Sequence, residues 1–326
     1  MKREEVAAIL VDKITNEKWH FLAYHFSQYK KGLEHFLCAS IFDACLRVES
    51  EVPGYVESFA NKLAEISGRE MYIPHFEQII QLLSELYVIN HMVSIGLADA
   101  KYVLEPRASG SDKNPEIGVI LPDKKIYVEV KCREFTTHHN NRGMASVEVP
   151  ARIDGIRELA SRLLKDKETI VYPRDNVIKD FLVSANEKFR GFKKEAPDAI
   201  TMLVIVWDDF IYEPITSLLN EHSGLLTEKS FFRNGDQPVK FENIDAVIIV
   251  RQSHQIVAAT RDQFPCDGLM HPLDWGRVGS VLPKAYVPIN TSSAMDSYLC
   301  EIMQAQHISE LSHAADYRPQ ELVLHV

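Results

Sequence analysis

Two apolar runs constrain the fold of this chain more than any other feature. AITMLVIVW at residues 199–207 and DAVIIVR at residues 245–251 each have the length of one strand. Apart from Thr201 and the two ends of the second run, they carry no polar side chain. Short continuous apolar runs of this kind are typical of strands that are buried on both faces of a sheet. Both segments are therefore predicted to be buried strands.

The elements before these runs complete an ordered α/β pattern. HFEQIIQLLSELYVINHMVSIG predicts a helix that begins near Pro74 and ends near Gly96. Three strand-like segments follow at residues 101–106, 116–121 and 124–131. Two more helices are predicted around DGIRELASRLLKDK and VIKDFLVSANEKFRGFKKE, before the first apolar run. The order helix, three strands, helices and two strands predicts a mixed β-sheet flanked by helices.

The two ends of the chain are predicted to be additions to this core. Residues 1–72 show helical spacing and no catalytic pattern, and their histidines (His20, His25 and His35) are interpreted as packing or surface residues. The tail after about residue 263 is predicted to be irregular, with one helix near AMDSYLCEIMQAQ. The predicted division is a helical N-terminal region at 1–72, a core at 73–262 and a C-terminal extension at 263–326.

The net charge, the cysteines and the lengths of the apolar segments argue against several classes of protein. The net charge of −10 argues against a protein that coats nucleic acid without sequence preference, but it allows a local basic groove. The five scattered cysteines have no zinc-ligand spacing and predict reduced thiols. The charged N-terminus lacks a signal-peptide apolar stretch, and the nine-residue run at 199–207 is half of a membrane span. We therefore expect a cytoplasmic protein without a membrane segment.

The third strand, IYVEVKC, carries charges where a buried strand should have none. Side chains alternate along a strand, so Glu129 and Lys131 share one face. A two-residue turn at Pro122–Asp123 would place Glu116 directly opposite Glu129, and a turn shifted by one residue would place it opposite Lys131. Either turn keeps the three side chains on one face, whereas an odd-length loop would separate them.

Facing carboxylates predict a cation between them. Two carboxylates opposite each other on a sheet repel, and a divalent ion such as Mg²⁺ would reverse that interaction. Lys131 could then orient a water or stabilise developing charge. Glu85 joins this set because its helix is apolar around it, and a buried carboxylate needs a partner. The simpler alternatives are a solvent-facing strand edge for Glu129 and Lys131, and a surface lysine as the partner of Glu85.

A helix glutamate, a strand, PE opening a second strand, a hairpin and then EVK resemble the PD-(D/E)XK nuclease superfamily. The resemblance covers residues 76–207, with 245–251 as an extension, and implies the restriction-endonuclease-like fold with its αβββαβ core. It implies that Glu116 and Glu129 are metal ligands, together with Glu85 and the backbone carbonyl of Val130. Lys131 would be the catalytic lysine, and Mg²⁺ the cofactor, with Mn²⁺ able to substitute.

The chain departs from the family pattern at several positions. The usual aspartate is Glu116 here, one methylene longer, and Asp112 in SGSDKNPE is an alternative first ligand. The segment from 133 to 175 is long, and the glutamine motif of the exonuclease branches is missing. These departures leave the class of nucleic acid and the mode of cleavage open.

The resemblance implies phosphodiester hydrolysis, with DNA favoured over RNA. It also suggests an effector of a bacterial defence or restriction system, with a helicase or sensor as partner, or a homo-oligomer. Basic residues near the site that could contact phosphates are Arg133, Arg142, Lys188 and Arg190, although a solvated surface explains them equally well. Two alternatives stay open: a non-catalytic interaction module with a disabled site, and an unrelated small-molecule enzyme with a pocket near Asp208.

Overall fold

The computed structural model describes most of the chain, namely residues 1–16, 19–66, 72–109, 113–134, 146–148, 162, 169–171, 175–208, 212–265, 269–276 and 284–311. Helices fill the start of the chain, as expected for residues 1–72: α1 Arg3–Asn16, α2 Ala23–Lys30, α3 Phe36–Glu51, α4 Tyr55–Glu65 and α5 Ile73–Ser94. The later helices are α6 Asp175–Glu195, α7 Tyr212–Leu219, α8 Ser253–Ala259 and α9 Ser293–Met303, and a 3₁₀ turn covers Ile308–Leu311. The helix predicted around DGIRELASRLLKDK lies, except for Arg162, outside the described residues.

The strands, in chain order, are β1 Lys101–Leu104, β2 Ile117–Ile120, β3 Lys125–Cys132, β4 Ser146–Glu148, β5 Thr169–Val171, β6 Ile200–Trp207, β7 Arg233–Asn234, β8 Gln237–Pro238, β9 Ala246–Arg251, β10 Ala285–Pro288 and β11 Gln306–His307. Seven of them form one sheet in the order β1-β2-β3-β6-β9-β10-β11. β1, β2 and β3 are antiparallel neighbours, whereas β3, β6 and β9 run parallel. The prediction of a mixed sheet flanked by helices is confirmed.

The C-terminal region departs from its predicted irregular path. β10 pairs antiparallel with β9, and β11 pairs parallel with β10, so this region extends the central sheet. The helix predicted near AMDSYLCEIMQAQ is present as α9. The prediction of an irregular tail was wrong because strands of four and two residues are too short to show a period, and neighbouring strands stabilise them.

The hairpin between β2 and β3 has the first of the two predicted registers. Ile117 lies opposite Val128 and Gly118 opposite Tyr127. The Leu121 N–H donates to the Lys124 carbonyl at 2.9 Å, which places Pro122–Asp123 at the centre of the turn. The Glu116 N–H donates to the Val128 carbonyl at 3.0 Å, although Val128 is already the partner of Ile117. Glu116 therefore lies just outside the regular ladder, which ends at Ile117, and its predicted position directly opposite Glu129 is not part of that pairing.

Alternation along β3 separates two hydrophobic cores. Ile126, Val128 and Val130 belong to the core that includes helices α1 to α5. Tyr127 faces the other core, where its ring lies 4.3 Å from that of Phe192 on α6. The first core also contains residues of α9, so it continues across both of the predicted boundaries at 72 and 263.

Trp275, in the HPLDWGR segment, attaches the C-terminal region to α5. Its ring stacks on His91 with centroids 3.9 Å apart and on Tyr87 at 4.8 Å. Its Nε1–H donates to the Met303 carbonyl at 2.8 Å, and Nε2 of His91 lies 2.9 Å from the Ile302 carbonyl. This tryptophan therefore packs three parts of the chain together.

In the part of the chain described, none of the helices is long and apolar enough to cross a membrane.

Candidate active site

Three carboxylates and two lysines converge where the β2–β3 pair meets α5 and α6. Glu116 directly precedes β2, and Glu129 and Lys131 lie in the second half of β3. Glu85 projects from α5, and Lys188 projects from α6. We call these five residues the carboxylate–lysine cluster. Because α5 contacts β3 from one side and α6 contacts it from the other, the sheet positions charges from both helices around one point.

Glu129 is the buried centre of the cluster. Its side chain is fully buried, and its Oε1 lies 2.7 Å from Nζ of Lys131, on the same strand face as predicted. Lys188 Nζ donates to both carboxylate oxygens, at 2.6 and 2.8 Å. A carboxylate without water needs such partners because desolvating an uncompensated charge is costly. The side chains of Lys131 and Lys188 therefore supply the polar partners of the buried Glu129 carboxylate.

Glu116 has much weaker compensation than Glu129. Its Oε1 lies 4.0 Å from Nζ of Lys188, and its side chain is only 17% exposed. Burial, followed by the nearby carboxylates of Glu85 and Glu129, raises the pKa of Glu116 to about 8, although the two lysines oppose the shift. Glu116 therefore tends to keep its proton at neutral pH unless additional positive charge arrives.

Glu85 has the same imbalance on the α5 side. Burial raises its pKa, and Glu129 adds to the shift, whereas Lys62, Lys131 and Lys188 lower it. Its α5 neighbours Leu82, Leu86, Ile89 and Met92 are all buried, as the sequence predicted. It makes neither a hydrogen bond nor an ion pair within 4.0 Å to another described residue. Glu85 and Glu116 are therefore two under-compensated carboxylates beside a third.

A cleft of about 170 Å³ gives access to these two acids. Glu85 and Glu116 both line it, with Lys62 of α4 and Glu105 after β1 at its polar side, where these two form an ion pair. Tyr55, Phe59 and Leu104 contribute apolar walls. Glu129 does not line the cleft. The cleft thus reaches the cluster at Glu116, and Glu129 lies deeper in the protein.

The donor set fits a hard divalent cation. Carboxylate oxygens are the ligands that Mg²⁺ and Mn²⁺ prefer in proteins, and a small number of them is sufficient because Mg²⁺ retains waters. Glu85 and Glu116 have oxygens that no described side chain occupies within hydrogen-bond distance. Glu129 would have to share its oxygens with the ion or release Lys188. The residues therefore offer suitable donor atoms, but their three carboxylates do not bring oxygens within 4.8 Å of one another, so an ion would require side-chain movement as well as competition with Lys188.

The remaining residues that the sequence analysis named as metal ligands or phosphate contacts have different environments. Val130 is buried in the core next to Glu129, with 4% exposure. Arg133 and Arg190 are exposed, and Lys188, predicted as a phosphate contact, is found on Glu129. Arg142 and the alternative ligand Asp112 lie outside the described residues.

Lys62 and the pairing of Lys188 were missed by sequence reasoning. Lys62 belongs to the N-terminal helices, in which no catalytic pattern was found, and only the tertiary fold brings it to the cleft, where it pairs with Glu105. Lys188 follows Glu129 by 59 residues, and no spacing rule connects a strand carboxylate to a lysine that far away. The amphipathic pattern of α6 was the only available signal.

Asp208, the residue named for an alternative pocket, is buried at the end of β6 with 4% exposure. It lines neither the cleft at Glu116 nor a second cleft of about 200 Å³ beside residues 225–228 and 238–241. Its neighbour Asp209 lies outside the described residues.

Comparison of the chain with family models, curated proteins and solved structures finds no match.

Proposed function

We propose that this protein is a metal-dependent nuclease that hydrolyses phosphodiester bonds, with DNA favoured over RNA. The convergence of Glu85, Glu116 and Glu129 beside Lys131 carries the proposal. These acids come from different parts of the fold; among the described residues Glu85 has no ion pair within 4.0 Å, and Glu116 has only the long contact of 4.0 Å to Lys188. A cluster with surplus negative charge at the mouth of a cleft is suited to bind a cation and, through it, a phosphate.

Each residue of the cluster has a role in this proposal. Glu85, Glu116 and Glu129 would hold Mg²⁺ or Mn²⁺, together with the backbone carbonyl of Val130. The chemistry that a bound ion supplies is an activated water and neutralisation of the attacking and leaving oxygens. Lys131 stabilises the negative charge that develops on the phosphate oxygens as the bond to the leaving oxygen breaks. Lys188 would occupy both Glu129 oxygens until the ion arrives.

The element order supports the restriction-endonuclease-like core that is part of this proposal. α5, β1, β2, β3, α6 and β6 occur in the order αβββαβ, with the separate β4–β5 pair between β3 and α6, and β1, β2, β3 and β6 are neighbours in the sheet. The candidate acids occupy the helix, the start of the second strand and the third strand of that order. The short sequence pattern is informative because the order of the helices and strands agrees with the positions of the three glutamates.

The wider biological role is proposed from the resemblance. A nuclease of this kind would act as the effector of a bacterial defence or restriction system, together with a helicase or sensor protein or as a homo-oligomer. The net charge of −10 favours a protein partner that delivers the nucleic acid over tight intrinsic DNA binding. Exposed Arg133 and Arg190 could contact phosphates near the site.

A cleavage assay with matched variants tests the proposal. Purified protein is incubated with Mg²⁺ or Mn²⁺ and plasmid, linear duplex, single-stranded DNA or RNA. The near-isosteric variant Glu129→Gln, Lys131→Met should lose cleavage, whereas Glu4→Ala, Lys13→Ala on the exposed face of α1 should retain it. Circular dichroism confirms that both variants fold. Cleavage that survives in the Glu129 and Lys131 variant would remove these residues from the mechanism.

A non-catalytic interaction module is the second candidate. It is favoured by the pairing of Glu129 with two lysines, since an acid already satisfied by Lys131 and Lys188 needs no metal. Calorimetry separates the two functions, because only the nuclease requires the cluster to bind Mn²⁺. Neither cleavage nor Mn²⁺ binding by the wild-type protein would favour the interaction module.

A further inference from the structure

Two histidines and one aspartate, residue types that can coordinate metals, come together from separate parts of the chain. His25 lies on α2, His35 directly precedes α3, and Asp262 follows α8. The Asp262 Oδ1 lies 2.8 Å from Nε2 of His35 and 3.5 Å from Nε2 of His25. One potential ligand atom from each residue lies within 4.8 Å of the other two.

His25 is the buried member of this cluster. It is only 5% exposed, and neither ring nitrogen makes a hydrogen bond of full geometry to the described residues; its polar contacts are the Oδ1 of Asp262, 3.5 Å from Nε2, and the Thr260 backbone. Buried polar groups are nearly always satisfied, so an imidazole of this kind requires an explanation.

We propose that His25, His35 and Asp262 bind a divalent transition metal ion, with Zn²⁺ as the first choice. Two imidazole nitrogens and one carboxylate oxygen form a donor set that suits zinc and neighbouring transition metals better than Mg²⁺. In a tetrahedral site with bonds of about 2.0–2.1 Å, the ligand atoms lie about 3.3 Å apart, so only small side-chain movements are needed. Three protein ligands leave one position for water.

Metal binding by His35 should change the hydrogen bond between its ring and the Leu37 N–H, and that change can be measured. Its Nδ1 accepts from the Leu37 N–H at 3.1 Å and caps α3, so the proton of the neutral ring resides on Nε2. The Nε2–H then donates to Asp262. A metal on Nε2 requires that proton to move to Nδ1, where it displaces the Leu37 N–H. Metal binding should therefore release the Leu37 amide from its cap.

The proposed ion connects distant parts of the chain. It would attach α2 and the start of α3 to the segment after α8, and it would stabilise the folded state by mass action. It shares no residue with the carboxylate–lysine cluster. The two metal sites can therefore be occupied and tested separately.

Metal titration of the chelator-treated full chain tests this site. Zn²⁺ is titrated calorimetrically, and Co²⁺ is added in parallel because tetrahedral Co²⁺ absorbs visible light strongly. We expect one ion per chain at this site and a loss of affinity of about 100-fold or more in Asp262→Asn and in His25→Gln. Asp262 is well exposed, so its substitution should leave folding intact. Zn²⁺ should also accelerate hydrogen exchange of the Leu37 amide in the wild-type protein only.

Two control variants make the result specific. His222→Gln replaces an exposed histidine elsewhere and should bind Zn²⁺ as the wild type does. Glu116→Gln should also retain this Zn²⁺ signal, which distinguishes the site from the carboxylate–lysine cluster. The proposal is overturned if the wild-type protein binds no Zn²⁺, or if Asp262→Asn and His25→Gln bind it with unchanged affinity.

Discussion

Lys188 of α6 donates to both carboxylate oxygens of Glu129 on β3, at 2.6 and 2.8 Å. The glutamate is fully buried, and the side chain of the lysine is 17% exposed. Together with Lys131, this contact supplies the positive charge that a divalent cation would otherwise supply. The same ammonium therefore stabilises the protein without metal and competes with metal for Glu129.

Replacing Lys188 should lower stability and improve metal access. In Lys188→Met, Glu129 keeps only Lys131, and we expect a loss of about 2 kcal/mol in the free energy of unfolding. Urea denaturation without metal measures the loss. Lys194→Met, an exposed change on the same helix, is the control. Equal stability of the two variants would show that Lys188 contributes little to the burial of Glu129.

The raised pKa of Glu116 makes stability depend on pH. Its pKa rises from the ordinary 4.5 to about 8 on folding, so between these values the folded state holds a proton that the unfolded chain has released. The metal-free protein should therefore lose stability as pH rises across this interval, at about 1.4 kcal/mol per unit of pKa difference. Below it, the shift has no effect on stability.

Glu116→Gln tests the source of this pH dependence. The amide cannot ionise, so urea unfolding at pH 5, 7 and 9 should give a flatter profile, and the variant should exceed the wild type in stability at pH 9. Glu85 retains a raised pKa and leaves part of the slope. Parallel profiles for the variant and the wild type would show that Glu116 is already ionised at neutral pH.

Metal binding at the proposed active site should release protons. Coordination requires ionised carboxylates, so Mn²⁺ binding at pH 7 should displace about one proton from Glu116 in the wild-type protein. Calorimetry in buffers with different ionisation enthalpies measures the number. Binding should tighten up to about pH 8 and then level off, since the carboxyl group is ionised above that value. Binding without proton release would place the ion away from Glu116.

Trp275 should contribute to stability through both its ring and its N–H. Trp275→Phe keeps most of the stacking on His91 but removes the hydrogen bond to Met303, and we expect a loss of about 1 kcal/mol. Trp275→Ala should cost about 3–5 kcal/mol because it also leaves a cavity. Trp19→Phe, a change at a half-exposed tryptophan, should be neutral. Thermal denaturation of the three variants compares these effects.

The central strands and the hairpin were predictable because local patterns determine them. AITMLVIVW and DAVIIVR correspond to β6 and β9, and alternation in IYVEVKC places Glu129 and Lys131 on one face of β3. The hairpin was limited to two registers, of which hydrogen bonding selects the one that places Gly118 opposite Tyr127. A strand of four residues such as β10 carries too little pattern for prediction, since its pairing with β9 determines its structure.

By itself, the sequence determined the α/β class, the order of α5, β1, β2, β3, α6, β6 and β9, and the acids worth considering, because these depend on periodicity and on short spacings. Only the tertiary structure decided which charged side chains lie next to each other. It places Lys188 beside Glu129, Lys62 in the wall of the cleft, and Asp262 beside two histidines. Ion pairing and metal coordination depend on distances of a few ångströms between residues far apart in the chain. Those distances are set by the packing of helices on both faces of the sheet.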